Sequence, residues 1–346
     1  MHSGLSRARR TRDSPFWISG FGGAQWVATE ALSGSRSTHL RVDEEFELGL
    51  QRVLESETVW LACFAGIVDW VREFYSTTGS WWARADARLG ERDWRRVGLL
   101  REHAGGEPKR VLELGSGYGT TAVATAKAGH EVTAVEISDR ADHLGDFADD
   151  VRPGSLTVHK ADFFEVDLPG SFDVVCYWNG FGVGTDADQR RLLTRIAAEW
   201  LRPGGLALVD VFNPLVWARW DGDEEHKLPD VAAGYDHELW QRTAFDPVTC
   251  TAIDTWWEAA NPERKISQAL RCYTPADLSL LLAGTGLALT GITVGDRAFP
   301  PAPHPGLRAL LQEHHEYLAV LRPLPRRPLA DNDVRLRGEV GRDGGR

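Results

Sequence analysis

From Val42 to Tyr75 apolar residues recur at helical spacing: Phe46, Leu50, Val53 and Leu54, then Trp60, Leu61, Phe64, Ile67, Val68 and Val71. Intervals of three and four residues put these side chains on one helix face, so the spacing predicts two or three amphipathic helices. After Pro108 the pattern changes. Short apolar runs (RVLELG, EVTAVEIS, LTVHKADF, FDVVCYW and GLALVDVF) alternate with helical stretches at TTAVATAKAG, from about Arg140 and from about Asp188. Strands that are apolar throughout, alternating with helices, predict βαβ units and a parallel sheet covered on both faces. Residues 216–250 are rich in Trp and acidic residues and only weakly periodic, and read as an insertion. Residues 251–258 and 287–294 then read as two late strands around a helix from Pro275 to Ala283.

These changes divide the 346 residues into a tail over 1–15, an N-terminal helical cap over 16–94, a core over 95–297 with its insertion, and a Pro- and Arg-rich extension over 298–346. Neither cap nor insertion has enough periodic apolar sequence to stand alone, so one elaborated αβ core is expected. The longest apolar stretch, Val59 to Val71, is interrupted by Asp69 and is too short to span a bilayer, and the N-terminal arginines precede no apolar leader segment. The expectation is a cytoplasmic protein with no membrane partner. Thirty-nine basic against fifty acidic residues give a net charge of −11. That field repels a polyphosphate backbone and argues against nucleic acid, leaving a small molecule as the expected partner. Cys63, Cys176, Cys250 and Cys272 lie far apart without a C-x-x-C pair, which disfavours a zinc site or a redox dithiol. Of the fourteen tryptophans, Trp60, Trp70, Trp81 and Trp82 fall in the cap and Trp217, Trp220, Trp240, Trp256 and Trp257 in the insertion and its exit strand. The segments that cover the core are therefore expected to be its aromatic part.

Chemistry concentrates at the strand ends. Val111-Leu-Glu-Leu-Gly115-Ser-Gly117-Tyr-Gly119 reads as a strand, a glycine turn and a helix start, where backbone can approach a ligand closely. A dinucleotide fingerprint needs a third glycine at position 120, where this chain has Thr120. Glu113 would repel a pyrophosphate but suits an ammonium group. Glu136, with Ile137, ends the next strand, where a carboxylate can accept from the vicinal hydroxyls of a ribose. Asp162-Phe163 ends the third strand, placed for an adenine amino group and ring.

This set resembles the class I S-adenosylmethionine (SAM)-dependent methyltransferases over about residues 70–297. Glu113-x-Gly115-x-Gly117-x-Gly119 matches the family's first motif, Glu136 its ribose acid, Asp162-Phe163 its adenine site, and Leu201-Arg-Pro-Gly-Gly205 the turn before the fifth strand. The resemblance implies a Rossmann-like α/β fold with a seven-stranded, mostly parallel sheet whose last strand is antiparallel, here with an N-terminal helical cap. It implies SAM as cosubstrate or sole substrate. It places Tyr177, Asn179 and Phe181 beside the reactive sulfonium, where an aromatic face attracts a cation, and Tyr75 as a lid. It also puts Arg271 and Tyr273 toward the substrate, with a structural ion pair as the alternative. Trp82 and Trp217 are read as lining an aromatic substrate pocket, or else as filling the cap.

Asp210 and Asn213 are similar to part of a metal-dependent O-methyltransferase site, but Tyr177-Trp178-Asn179 replaces its second acidic segment, so no metal is expected. No histidine falls in the expected site, which favours an acceptor that is already nucleophilic or is deprotonated by solvent, Tyr177 or Tyr75. The leading reading is methyl transfer to N or O of a small metabolite. A second is a SAM cyclase, in which the aminobutyryl nitrogen attacks the carbon beside sulfur to give azetidine-2-carboxylate and methylthioadenosine. A third is a non-catalytic SAM-binding regulator. Acceptor identity and oligomeric state are not encoded in any motif of the chain.

Overall fold

The computed structural model describes residues 67–146 and 150–325. The tail expected over 1–15, the helices expected between Val42 and Gly66, and the part of the extension beyond 325 lie outside the described residues. In chain order, α1 (Ile67–Asp86) and α2 (Glu91–Ala104) precede β1 (Arg110–Leu114), α3 (Thr120–Lys127), β2 (Glu131–Glu136), a 3-10 segment (Asp139–Asp146) and β3 (Ser155–Lys160). Next come β4 (Phe172–Phe181), α4 (Asp186–Arg195), a π turn (Ile196–Trp200), β5 (Leu201–Phe212) and α5 (Pro214–Trp217). Four strands follow: β6 (Glu224–Lys227), β7 (Leu239–Asp246), β8 (Thr251–Glu258) and β9 (Ile266–Arg271). The chain continues with α6 (Pro275–Leu282), β10 (Leu287–Val294), β11 (Arg297–Phe299), α7 (Pro305–Glu313) and β12 (Glu316–Pro323).

The main sheet has the order β11-β10-β12-β5-β4-β1-β2-β3. β1 to β5 are parallel to one another, and β12 runs antiparallel between β5 and β10. This is the Rossmann-like arrangement that the resemblance implies, with eight strands where seven were expected; the addition is β11, three residues paired to β10. Side chains alternate between two buried faces. Val111, Val174 and Leu208 belong to one cluster, Leu112, Val175 and Val209 to the other, which is why these strands read as unbroken apolar runs.

Two strand assignments need correction. Residues 251–258 do not join the main sheet; they form β8 of a separate antiparallel sheet, β6-β7-β8-β9, so the inserted structure continues past 250 to Arg271. A short turn pairs β7 with β8 in unbroken register from Leu239↔Glu258 to Asp246↔Thr251, and a strand's pattern does not encode which sheet it joins. The last antiparallel strand is instead β12, from the segment taken as a Pro- and Arg-rich extension. Its run Tyr317–Leu321 is buried, but polar and Pro-rich flanks hide so short a run.

α1 packs against the second sheet. Phe74, Trp81 and Trp82 cluster with Leu239 and Trp256, and Trp82 meets Trp256 edge to face at 6.0 Å. Three of the surplus tryptophans fill this interface, while Trp178 and Trp200 lie in the main core. Arg140 ties α1 to the main sheet: Nε donates to the Tyr75 carbonyl at 3.0 Å and Nη2 to Thr78 Oγ1 at 2.8 Å. On the other side, fully buried Asp254 accepts from Trp256 Nε1 (2.7 Å), Gln241 Nε2 (2.7 Å) and Gln268 Nε2 (3.1 Å). Gln268 Oε1 in turn accepts from the Tyr75 hydroxyl at 3.0 Å. Among the described residues, no helix is long and apolar enough to cross a membrane.

Candidate active site

Strand order reverses between β1 and β4, so the connections leaving their carboxyl ends diverge and open a crevice, the usual ligand position in open α/β sheets. A partly open cavity lies there. Gly115, Gly117, Glu136, Ile137, Phe163, Tyr177, Asn179 and Tyr75 line it. The sequence reading placed all eight at the site, and the fold brings them together.

The glycine turn needs its glycines for two different reasons. Gly117 has φ 57° and faces open space, so conformation alone demands glycine there. Gly115 has φ 58°, and a Cβ would also come within 3.0 Å of Tyr177 Cε2. Glu136 holds the turn in shape: Oε2 accepts from Gly117 N at 2.8 Å, and Oε1 accepts from Ser138 N at 2.8 Å and Ser138 Oγ at 2.6 Å. The Tyr177 ring is held edge-on by Phe163 (5.6 Å) and Phe181 (6.4 Å). Gly180 closes the ring's other contact, since a Cβ there would sit 2.9 Å from both Cζ and the hydroxyl oxygen and nearer still to Cε2. Gly180→Ala should therefore tilt the ring and lower SAM affinity about tenfold, with a changed near-ultraviolet circular dichroism spectrum. Unchanged affinity would mean that Tyr177 is structural only.

Several assignments change. Glu113 does not line the cavity; it is buried in β1, and burial pushes its carboxyl up to about 8 despite Arg96, with Asp93 adding to the rise. A neutral, enclosed acid is no partner for an ammonium group. Asp162 is also outside the lining: Oδ1 accepts from Phe164 N at 2.8 Å, which turns the backbone so that Phe163 faces inward. Phe181 is buried behind Tyr177. Asn179 does line the cavity, with φ 52°, a left-handed value that asparagine tolerates. Its amide is engaged, accepting from Arg96 Nη2 and donating to Glu316 Oε2, both at 2.9 Å, in the orientation that satisfies both neighbours. Burial raises Tyr75 and Tyr177 well above the ordinary phenol range, so neither serves as a base at neutral pH.

The four residues assigned to substrate lie elsewhere. Trp82 packs between Tyr235 and Trp256, and Trp217 between Phe212 and Trp220. Arg271 forms the structural pair, Nε to Asp186 Oδ1 at 3.0 Å, and Tyr273 donates to the same oxygen at 2.8 Å. Asp210 accepts from Asn179 N and pairs with Arg96, and Asn213 caps α5. Among the described residues, no group of three or more His, Cys, Asp or Glu is arranged to hold a metal ion.

The sequence reading missed the polar wall. Asp86 at the end of α1 and Arg92 and Arg96 on α2 line the same cavity. Arg96 bonds Thr121 Oγ1 (3.2 Å) and Asp210 (3.4 Å) and lies over the Trp178 ring at 5.1 Å. Arg92 Nε is buried without a partner among the described residues. The available signal was the i, i+4 spacing of Arg92 and Arg96 around buried Asp93 and Val97, one turn of helix just ahead of β1.

The cypemycin N-terminal methyltransferase of Streptomyces sp is 30% identical over 128 residues, which is 37% of this chain and 51% of that protein. The match thus spans about half the length of that curated relative. The solved CcbJ methyltransferase from Streptomyces caelestis aligns with a TM-score of 0.54 and 23% identity, over 69% of this chain and 92% of that one. A SAM-dependent methyltransferase from Clostridium acetobutylicum ATCC 824 aligns with a TM-score of 0.53 and 10% identity, over 72% and 98%. At such identities these two structures speak for the fold alone. The model of the methyltransferase domain family, however, matches residues 87–291, well over half of the chain, from the loop before α2 into β10, and on that span the chain belongs to the class I SAM-dependent methyltransferases.

Proposed function

We propose that this chain transfers the methyl group of SAM to a nucleophilic nitrogen or oxygen of a small molecule. The observation that carries the reading is the convergence on one cavity of the Gly115–Gly117 backbone, Glu136, Phe163 and Tyr177. Glu136 is placed for the ribose hydroxyls, and Ile137 and Phe163 for the adenine faces. The Tyr177 ring, already fixed by its neighbours, is placed for the sulfonium. Arg92, with its buried Nε unpaired, fits the carboxylate of the amino-acid arm. Bound SAM supplies an electrophilic methyl carbon; the chain's part is to align the acceptor behind it and exclude water. The cypemycin relative is named for methylation at an N-terminus, which supports nitrogen as the acceptor atom.

Calorimetry with SAM, S-adenosylhomocysteine and methylthioadenosine tests this directly. The first two should bind in the micromolar range and methylthioadenosine at least tenfold more weakly, because it lacks the arm that faces Arg92. No SAM binding would sink the proposal. Nucleoside analysis after incubation separates the rivals: adenosylhomocysteine only with an acceptor means transfer, methylthioadenosine from SAM alone means cyclisation, and unchanged SAM means a binder.

A further inference from the structure

Tyr75 and Tyr177 keep their protons, Glu136 is committed to the glycine turn and, in the reading above, to the ribose, and yet the cavity wall carries one more carboxylate. Asp86 faces the cavity from the end of α1, next to the loop that leads into α2. Among the described residues its side chain accepts no hydrogen bond and forms no ion pair. Four charged groups act on it, Arg92 and Asp93 on α2, Arg88 in the connecting loop and Arg140 in the 3-10 segment after β2, and the protonated Tyr118 phenol of the glycine turn faces it as well. None of the three arginines is spent on it. Arg140 bonds Tyr75 and Thr78, Arg88 reaches the Ala233 carbonyl, and Arg92 stays beyond ion-pair distance.

We propose that Asp86 takes the proton from an aliphatic ammonium group, so that the nucleophile of this enzyme is an amine nitrogen. The proposal rests on the SAM-dependent reading above and narrows it. A carboxylate without an ion pair of its own on a partly enclosed wall offers an ammonium group a charge to pair with and offers a neutral phenol none. Burial places Asp86 up at about 7, against the opposing pull of Arg92, Arg140 and Arg88. At that value about half of it is ionised at neutral pH, and it is basic enough to hold a proton briefly, as a general base must.

The ammonium has two sources, and the step balances for each. From a second molecule, R–NH3+ gives one proton to Asp86. The freed lone pair forms the N–CH3 bond as the C–S bond breaks, and the electron pair stays on sulfur to give adenosylhomocysteine. From the aminobutyryl arm of SAM itself, the same proton goes to Asp86 and nitrogen bonds the carbon beside sulfur, releasing methylthioadenosine. In both, Asp86 then returns its proton to solvent.

The test compares wild type, Asp86→Asn and Asp86→Glu, all checked for an unchanged melting temperature. Each is assayed with SAM alone, with SAM plus a set of amino sugars, amino acids and short peptides, and with SAM plus phenols and carboxylic acids. The expected result is turnover either with SAM alone, as methylthioadenosine, or with the amine set, as adenosylhomocysteine. The wild-type rate should fall below about pH 7, because protonated Asp86 cannot accept. Asp86→Asn should lower kcat/KM at pH 7 about 100-fold or more and abolish that limb, and Asp86→Glu should restore part of both. Turnover confined to phenols or carboxylic acids, a wild-type rate and pH limb in Asp86→Asn, or SAM binding without turnover under any condition would each overturn the proposal. Absence of SAM binding is a separate result and sinks the SAM-dependent reading instead.

Discussion

Glu136→Ala is expected to weaken binding of adenosylhomocysteine by about 100-fold. In the proposed role the carboxylate accepts two ribose hydroxyls, and hydrogen bonds to a charged acceptor contribute about 1.5–3 kcal/mol each, so the low end of that range already gives about 3 kcal/mol for the pair. Roughly 2.7 kcal/mol corresponds to that factor. The same side chain also accepts from Gly117 N and from Ser138, so its removal frees the glycine turn as well as the ribose. Glu136→Gln keeps one acceptor oxygen and should lose only about tenfold. Calorimetry on the three proteins decides it. An affinity within threefold of wild type for the alanine variant would reduce Glu136 to a cap for the turn.

The second large effect concerns stability. Asp254→Ala should destabilise the fold by on the order of 4 kcal/mol, because it strands the indole N–H of Trp256 and two amide groups in a dry interface at about 1–3 kcal/mol each, with some relaxation. For a domain of this size that is a fall in melting temperature of roughly 10 °C. Burial raises the Asp254 carboxyl while its three donors oppose the rise, so the group sits where enclosure and hydrogen bonding compete. Asp254→Asn keeps an acceptor and should lose less than half as much. Because Gln268 links Asp254 to the Tyr75 hydroxyl, the alanine variant should also raise the KM for SAM. A melting temperature within 2 °C of wild type would show that the second sheet does not depend on this residue.

The parallel strands and the glycine turn were legible because each is written in contiguous residues: an apolar run, then glycines, then an acid at the next strand's end. Gly115, Glu136 and Phe163 are read from their position on a strand, and the sheet alone brings them together. The polar wall was not legible. Asp86, Arg92 and Arg96 lie on helices whose charged residues look like a solvated face until α1 and α2 are seen folded over the cavity. For Arg271 and Trp217 the structure follows the structural alternative. Asp186 pairs with Arg271 and Trp220 packs edge-on against the Trp217 ring within the scaffold, and local sequence does not show whether a polar or aromatic side chain has already found a partner. The β8 and β12 assignments failed because pairing is a long-range property: β12 lies beside β5, more than a hundred residues earlier in the chain.

That separation has a consequence for synthesis. The main sheet is complete only when residues 316–323 occupy the slot between β5 and β10. A chain leaving the ribosome exposes β5, whose residues from Leu206 to Phe212 are buried in the finished protein and, but for Asp210, apolar, as an open edge. At about 5–20 residues per second, that edge stays unpaired for roughly 6–22 seconds. Unsatisfied edges template pairing with other chains. Early termination before Glu316 is thus expected to yield aggregates rather than a trimmed enzyme, and chaperone demand during expression should peak while β6–β9 are being made.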